Sequence, residues 1–488
     1  MDRSYRDLLK HSGVYGLGHV LARLASVLLL PVYTSHLTRG DYGVLAILDL
    51  TAALLAIVLA SGTVRAVTRY HFESDSERER DGLWWTGLGL LVVTCVVFLG
   101  PVAAFSEGLG AFVLGESGTG PLVLIALATL ALTTVEQLLQ AHLRVYKLSE
   151  LFVVLSLGRL ALNIALNLWF LIGLDFGVRA ILLGNLIAAA VSLMFLFEVF
   201  RRRRGAPRWR SDRLGVLFSY GTPLVVASLL AVAMHQLDRY LLRLFLDLDQ
   251  VGVYSVAYAI GQGINTLVLH PFSQIWYVAV YELDGKPDFD RVISSVFRFF
   301  FSGLALILLG VSLFARPLLN VLVAEEFREA ATVIPLVCLA YLFFSLHAHF
   351  NLPPLLAKRT RAMIPAHVVG VTVNVAANVV LIPWLGMRGA ALASVATFAA
   401  FSFSGLAVYR RIRAFDYPLL GGALALLGMC GTYLGWQAVA SWSLRPWSTA
   451  SLAAGLWLVW AAILGVPLLR SWRRESAQWL AGLGGRGA

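Results

Sequence analysis

The chain has 488 residues, of which 59% are hydrophobic and only 14% are charged. A soluble domain carries about 25% charged residues, so the composition excludes a soluble enzyme and predicts an all-α integral membrane protein. The formal net charge of +11 comes from an excess of Lys and Arg whose position along the chain carries information about topology.

Apolar runs of about 20 residues are long enough to cross a bilayer as helices. We count fourteen such runs, and two pairs of them are separated by such short turns that the total could differ by one pair. The predicted spans cover residues 12–36, 42–62, 82–104, 120–143, 151–173, 177–200, 214–244, 251–280, 292–314, 330–356, 362–384, 387–409, 417–440 and 447–469.

The first span carries a stripe of polar side chains that includes His19 and Arg23. Because Arg23 lies near mid-depth and cannot easily reach either surface, we expect it to line a cavity rather than to reach the head groups.

The fourth and fifth spans carry Glu136 and Arg159. Buried charges in a membrane are usually paired, so Glu136 is expected to neutralise either Arg159 or Arg23. The fifth span also carries Asn163 and Asn167, and the eleventh repeats them as Asn374 and Asn378. We expect these amides to form structural hydrogen bonds between helices, worth about 0.6–2 kcal/mol each.

The stretch "RRRRGAPRWR" at residues 201–210 lies between two spans. A nucleic-acid site is one interpretation of such a run. A solvated loop beside anionic lipid head groups is favoured, and no nucleic-acid partner is predicted.

The seventh span contains "AMHQLDRYLL", in which His235, Gln236, Asp238 and Arg239 share one side of the helix with Arg243. An Asp or Arg at the bilayer centre costs about 2.5–3.5 kcal/mol. These side chains therefore either line a wet cavity or reach an interface, and for Arg239 both interpretations stay open because it lies near the outer end of its span.

The two halves of the chain resemble each other. "YGVLAIL" (42–48) aligns with "VGVYSVA" (251–257), "LNIALN" (162–167) with "VNVAAN" (373–378), and "GVRA" (177–180) with "GMRG" (386–389), at offsets of 209–211 residues. We therefore expect two six-helix lobes related by a pseudo-two-fold axis along the membrane normal. The predicted parts are an N-lobe at 1–200, a basic linker at 201–213, a C-lobe at 214–414, two further spans at 415–470 and a tail at 471–488.

The loops that would face the cytoplasm with the N-terminus inside hold 28 of the 39 Lys and Arg residues. This bias predicts that both termini are cytoplasmic. No catalytic, phosphate-loop or metal-ligand motif is present, so we expect a non-enzymatic protein without a cofactor. Any energy must come from the membrane potential, from removal of the substrate or from a gradient of H⁺ or Na⁺.

Three stretches carry a resemblance to a known family. "LLLPVYTSHLTRGDYGVLAIL", "QLDRYLLRLFLDLDQVGVYSVAYAIG" and "NVAANVVLIPWLGMRGAALASVATF" look like the oligosaccharide-lipid flippases, in the superfamily that also holds multidrug and toxin extrusion antiporters and the lipid II flippase. The resemblance covers about residues 10–410. It implies alternating-access transfer of undecaprenyl-pyrophosphate-linked oligosaccharide to the outer leaflet of the bacterial plasma membrane, for surface polysaccharide biosynthesis.

The resemblance also implies candidate site residues. Arg23 matches the basic position of the first span, and Asp238 with Arg239 matches the "DR" of the seventh. Cationic side chains in a low-dielectric cavity suit a pyrophosphate. We therefore expect Arg23, Arg239, Asp238, His235, Arg159 and Glu136 to line the cavity. The "LDRY" motif could instead serve the folding of the lobe.

Three other functions stay open. A cation-coupled antiporter of small organic cations would need an acidic cavity, whereas the in-span charges here lean basic. A lipid II flippase also has fourteen spans, but the first span lacks the dense charge cluster expected of one. A membrane scaffold would not need matched polar stripes. A monomer suffices for two lobes, and a polysaccharide polymerase or other assembly proteins are possible partners beside membrane lipid.

Overall fold

The computed structural model describes residues 25, 28–210, 212, 214–440 and 448–465. Within these residues every regular element is helical. Eleven of the helices are long and apolar enough to cross a membrane. The predicted all-α, multi-pass membrane architecture is therefore confirmed, while the count of fourteen spans stays a prediction.

The chain divides into two compact units, residues 1–255 and 256–488. The first unit, as far as it is described, has eight complete helices and the start of a ninth. They are α1 (Leu30–His36), α2 (Arg39–His71), α3 (Glu77–Ala104), α4 (Ser106–Leu114), α5 (Gly120–Val145), α6 (Ser149–Leu168, extended by a π turn at Trp169–Gly173), α7 (Val178–Arg204), α8 (Leu214–Phe245) and α9 (Leu248–Ile264).

The second unit continues from a π turn at Asn265–Leu269 and includes two short 3₁₀ segments, Glu325–Thr332 and Thr360–Met363. Its helices are α10 (His270–Leu283), α11 (Phe289–Leu313), α12 (Ala315–Leu322), α13 (Ile334–Ser345), α14 (His347–Phe350), α15 (Leu352–Leu356), α16 (Ile364–Leu385), α17 (Met387–Tyr409), α18 (Leu419–Ala440) and α19 (Ser448–Gly465).

The predicted spans agree with the helices where an apolar run is uninterrupted. The predicted twelfth span at 387–409 coincides with α17, and the fourth at 120–143 begins with α5. The tenth differs, because the run at 330–356 breaks into α13, α14 and α15. Pro353 and Pro354 lie at the start of α15 and cannot donate the backbone hydrogen bonds of a continuous helix.

Two helices were not predicted from the sequence. α4 and α12 are too short to cross a bilayer, and each directly follows a long apolar helix. Their first residues, Ser106 and Ala315, are separated by 209 positions, which is the offset of the predicted repeat.

Backbone angles also agree between positions that the repeat aligns. Lys147 and Lys358 are both left-handed, with φ of 55° and 56°. Gly177 and Gly386 share φ of 53° and 57° and ψ of −133° and −135°. Left-handed non-glycine residues are uncommon, so the coincidence favours the repeat, which stays a prediction.

α2 and α9 begin with a close backbone contact. A Cβ atom on Gly43 would lie 2.0 Å from the backbone oxygen of Leu248, and one on Gly252 would lie 2.0 Å from the backbone oxygen of Arg39. Both glycines and both oxygens are related by the 209-residue offset. Only glycine permits the backbones to approach so closely on both sides.

α7 ends in a buried charge cluster. The Arg204 side chain is 4% exposed, and its Nη1 contacts the Asp81 carboxylate at 2.7 Å. Its Nε donates to His142 Nε2 at 2.9 Å, and its guanidinium covers the Tyr146 ring. The prediction that the arginine run is solvated is therefore wrong for Arg204. Arg201 and Arg202 are exposed, as predicted.

Candidate functional site

Glu136 forms the centre of a buried polar network in the first unit. Its carboxylate accepts hydrogen bonds from Arg159 Nη1 at 2.5 Å, Gln140 Nε2 at 3.0 Å and Ser192 Oγ at 2.8 Å. Glu136 is only 1% exposed, so its carboxylate loses its hydration. The positive charge of Arg159 offsets the free-energy cost of that loss. Of the two partners expected for Glu136, the structure thus supplies Arg159, and the network links α5, α6 and α7.

The asparagines of α6 connect neighbouring helices. Asn163 Nδ2 donates to Asn185 Oδ1 on α7 at 2.6 Å, and Asn167 Nδ2 donates to the Tyr33 hydroxyl on α1 at 3.2 Å. A Cβ atom on Gly184 would lie 1.9 Å from Asn167 Oδ1, so that glycine permits the close packing of α6 and α7. These contacts are of the kind expected for structural amides.

The equivalent asparagines of the second unit are both buried in α16. Asn378 Nδ2 donates to the backbone oxygen of Asn374 within the same helix, at 2.8 Å. A structural role agrees with this burial, although this bond does not join two helices.

The polar side chains of α8 separate into different environments. Asp238 is 1% exposed and accepts a hydrogen bond from the Tyr254 hydroxyl at 2.5 Å. Arg239 is half-buried, and its Nη1 donates to Gln236 Oε1 at 3.2 Å. His235 is half-buried on the same helix. Asp238 is thus bonded to α9, whereas Arg239 bonds a residue of its own helix.

Arg243, on the same predicted stripe, has a different environment. Its Nε donates to the backbone oxygen of Leu114, at the end of α4, at 2.7 Å. A cation beside the last carbonyl groups of a helix is stabilising. Arg243 therefore fixes α8 to α4.

Arg239 on α8 and Asp49 on α2 belong to neighbouring helices. The two helices are joined by a hydrogen bond between the Thr51 and Tyr240 hydroxyls. Tyr240 follows Arg239, and Thr51 lies two residues after Asp49, so this bond places a cation and an anion in the same region of the α2–α8 contact, inside the first unit.

Asp49 also lines a cavity of about 290 Å³ between α2, α5 and α7. Its other polar lining residues are Thr129, Thr133 and Asn185. Asp49 was not predicted as a site residue. The available signal is the spacing of Asp49 with Ala52, Ala53 and Ala56 at i, i+3, i+4 and i+7, which places one carboxylate and three small side chains on one helix face.

A second cavity, of about 240 Å³, lies in the second unit between α11, α13 and α18. Its walls are mainly apolar, and Leu309, Leu342 and Leu426 are representative. Such a lining suits hydrocarbon.

Arg23 lies outside the described residues, so its predicted place in the cavity stays a prediction. Among the described residues, no group of three or more His, Cys, Asp or Glu side chains has a geometry that would hold a metal ion. The structure therefore places Asp49 and Arg239 in the same region of the α2–α8 contact and bonds Asp238 to Tyr254. It pairs Arg159 with Glu136 at a separate network.

A family model described as "Polysaccharide biosynthesis protein" matches residues 8–277. No curated protein sequence matches the chain significantly. Three solved structures show the likeness in fold. A lipid II flippase MurJ in an inward closed conformation has a TM-score of 0.74 at 11% identity and covers 94% of this chain and 100% of its own.

The other two are transporters. An inward-facing multidrug resistance MATE family transporter of the MOP superfamily has a TM-score of 0.63 at 15% identity, covering 81% of this chain and 98% of its own. A mutant of the Vibrio cholerae MATE transporter VcmN has a TM-score of 0.51 at 13% identity, covering 83% and 96%. At these identities the likeness concerns the fold alone.

Proposed function

Because the chain belongs to the polysaccharide biosynthesis protein family, we propose that it is a flippase for a polyprenyl-pyrophosphate-linked oligosaccharide. It moves this lipid by alternating access from the cytoplasmic to the outer leaflet of a bacterial plasma membrane, with both of its termini in the cytoplasm. The product serves the assembly of a surface polysaccharide.

The half-buried Arg239 of α8 is the observation that carries this proposal. It lies on the predicted seventh span, next to Asp238, whose carboxylate is bonded to the Tyr254 hydroxyl. An arginine can bind a phosphate through two parallel N–H donors, and in a low-dielectric site such bonds are strong. Together with Arg23, which resemblance places on the first span, Arg239 would bind the pyrophosphate.

The apolar cavity between α11, α13 and α18 agrees with the other end of such a substrate. A polyprenyl chain needs a hydrocarbon surface while its charged head enters a polar site. An inside-negative potential favours outward movement of an anion by about 2.3 kcal/mol per charge per 100 mV, so transport needs no enzymatic step.

The test is a binding and transport measurement on purified protein in nanodiscs and proteoliposomes. Wild type should bind undecaprenyl pyrophosphate, and Arg239→Ala should weaken binding by about tenfold or more, as expected for a lost charged hydrogen bond. Arg202→Ala is the matched control, because Arg202 is 75% exposed at the end of α7. Each variant is also scored for surface polymer in a strain that lacks its own flippase.

Two outcomes contradict the proposal. If the wild-type protein binds no polyprenyl pyrophosphate and instead exchanges an organic cation for H⁺ or Na⁺, it is an antiporter. If it binds lipid II alone, it is a flippase of another pathway.

A further inference from the structure

We propose that the cavity between α2, α5 and α7 binds the first sugar of the transported lipid, with Asp49 as the specificity-determining residue. The inference rests on the proposed function and deepens it, because it assigns a place to the part of the substrate that Arg239 does not bind.

The cavity is built by two helix faces of the same pattern. On α2, Asp49 is followed by Ala52, Ala53 and Ala56, and on α5 the residues Ala126, Thr129, Leu130 and Thr133 have the same i, i+3, i+4, i+7 spacing. Faces of small residues usually let membrane helices pack closely. Here they line an open cavity of about 290 Å³, which is near the lower limit of about 300 Å³ for small-molecule pockets and suits one sugar ring.

The polar groups of the cavity offer both acceptors and donors. The Thr129 and Thr133 hydroxyls donate to backbone oxygens of their own helix, to Ile125 and Thr129 respectively, which leaves their oxygens as acceptors. Asp49 is an exposed residue of the cavity lining, and a carboxylate accepts hydrogen bonds from ligand hydroxyls.

Asn185 supplies the donors. Its Oδ1 already accepts from Asn163 Nδ2 at 2.6 Å, so its amide N–H groups are the part left for a ligand. Vicinal sugar hydroxyls donate and accept at once, so they match a carboxylate, two hydroxyl oxygens and an amide N–H₂. A bare cation would instead need oxygen atoms as all of its ligands, and Asn185 Oδ1 already accepts a hydrogen bond from Asn163.

The position of the cavity agrees with the covalent structure of the substrate. The first sugar is joined directly to the pyrophosphate, so its binding site must adjoin the cation that holds the phosphate. Arg239 meets this requirement. The hydroxyl of its neighbour Tyr240 bonds that of Thr51 on α2, and Thr51 is two residues from Asp49 in the cavity lining. An oligosaccharide bound in this way would place its anion on α8 and its first ring between α2 and α5.

The experiment compares two lipids on the same purified protein in nanodiscs, by native mass spectrometry. One is undecaprenyl pyrophosphate, and the other carries one sugar from a panel of hexoses and N-acetylhexosamines. For at least one sugar, wild type should bind the glycosylated lipid about tenfold more tightly than the bare lipid, as expected for new hydrogen bonds to a charged group.

Variants locate that preference. Asp49→Ala should reduce the ratio of the two dissociation constants to about one. The affinity for the bare lipid should not fall, because the variant removes a negative charge from the region of Arg239. Ala53→Leu should do the same by filling the cavity while keeping every charge, which covers the case that Asp49→Ala folds poorly. Val58→Leu, at an exposed position of α2, is the control and should leave the ratio unchanged.

Several results overturn the proposal. If wild type binds the bare lipid with no preference for any sugar, the flippase function stands and the sugar site is wrong. If Asp49→Ala weakens both lipids equally, Asp49 acts through Arg239 and not on a sugar. If the lipids are bound without preference while Na⁺ raises the melting temperature of wild type but not of Asp49→Ala, the cavity is a cation site. If neither lipid binds, the proposed function fails and the sugar site fails with it.

Discussion

The Tyr254 hydroxyl donates to the Asp238 carboxylate at 2.5 Å, and both side chains are buried. This contact joins α8 to α9 and separates the two residues of the "DR" pair by role. Asp238 stabilises the junction of the two helices, whereas the Arg239 side chain bonds Gln236 within α8.

Tyr254→Phe should therefore lower the free energy of unfolding by about 1.5–3 kcal/mol, because it leaves a buried carboxylate without that donor. Tyr281→Phe, at a tyrosine that is 55% exposed, should change it by less than about 0.5 kcal/mol. Thermal unfolding in detergent measures both. A Tyr254→Phe protein that is as stable as wild type but no longer binds polyprenyl pyrophosphate would instead place Asp238 in the substrate site.

The Glu136–Arg159 pair predicts a non-additive response. Arg159→Met alone leaves the buried Glu136 carboxylate uncompensated and should destabilise the protein by about 3–5 kcal/mol. Replacing both residues, as Glu136→Leu with Arg159→Met, should recover much of that loss. Stability is followed by thermal unfolding and function by polymer complementation.

The double variant also decides the role of Arg159. If Arg159 serves only to neutralise Glu136, the double variant should transport as well as its stability allows. Loss of lipid binding in a stable double variant would show that Arg159 also contacts substrate.

Arg204 should not tolerate lysine. Its guanidinium bonds His142 and Asp81 and stacks on Tyr146, and a lysine cannot reproduce this planar geometry. Arg204→Lys should lower the free energy of unfolding by about 2 kcal/mol, comparable to the loss of a buried charged hydrogen bond. Arg202→Lys, at the neighbouring exposed position, should be neutral, and equal melting temperatures for the two variants would contradict the buried cluster.

The contact between Gly43 and Gly252 predicts a steric effect. Gly43→Ala and Gly252→Ala should each cost about 1–3 kcal/mol, because the new methyl group forces the start of α2 away from that of α9. Gly108→Ala in α4 meets no atom within 4 Å and should be neutral or slightly stabilising. Melting temperatures of the three proteins test the contact, and a neutral Gly43→Ala would exclude it.

The sequence predicts the long helices well because their apolar runs leave little choice of structure in a bilayer. It does not predict α4 or α12, since each is shorter than a span and is amphipathic only over two turns. Neither does it predict the break after Ser345, where the apolar character of the run continues although the helix does not.

The candidate site is predictable only in part. An unpaired charge in a membrane has a high free-energy cost. The sequence therefore predicts a polar environment for Arg239 and a cationic partner for Glu136. The choice of Arg159 over Arg23 as the partner of Glu136 depends on which helices are neighbours, and one sequence does not contain that information. Asp49 was not assigned to the site, because one sequence does not show which helices surround its side of α2.

The reciprocal glycine contact has a consequence for the origin of the chain. Gly43 packs on Leu248 in the same way that Gly252 packs on Arg39. The 209-residue offset makes Gly43 equivalent to Gly252 and Arg39 equivalent to Leu248, so the same contact occurs twice. A pair of identical six-span polypeptides would make the same contact across a dyad, using one glycine and one carbonyl from each copy. The predicted repeat then implies that gene fusion preserved the interface of an ancestral homodimer.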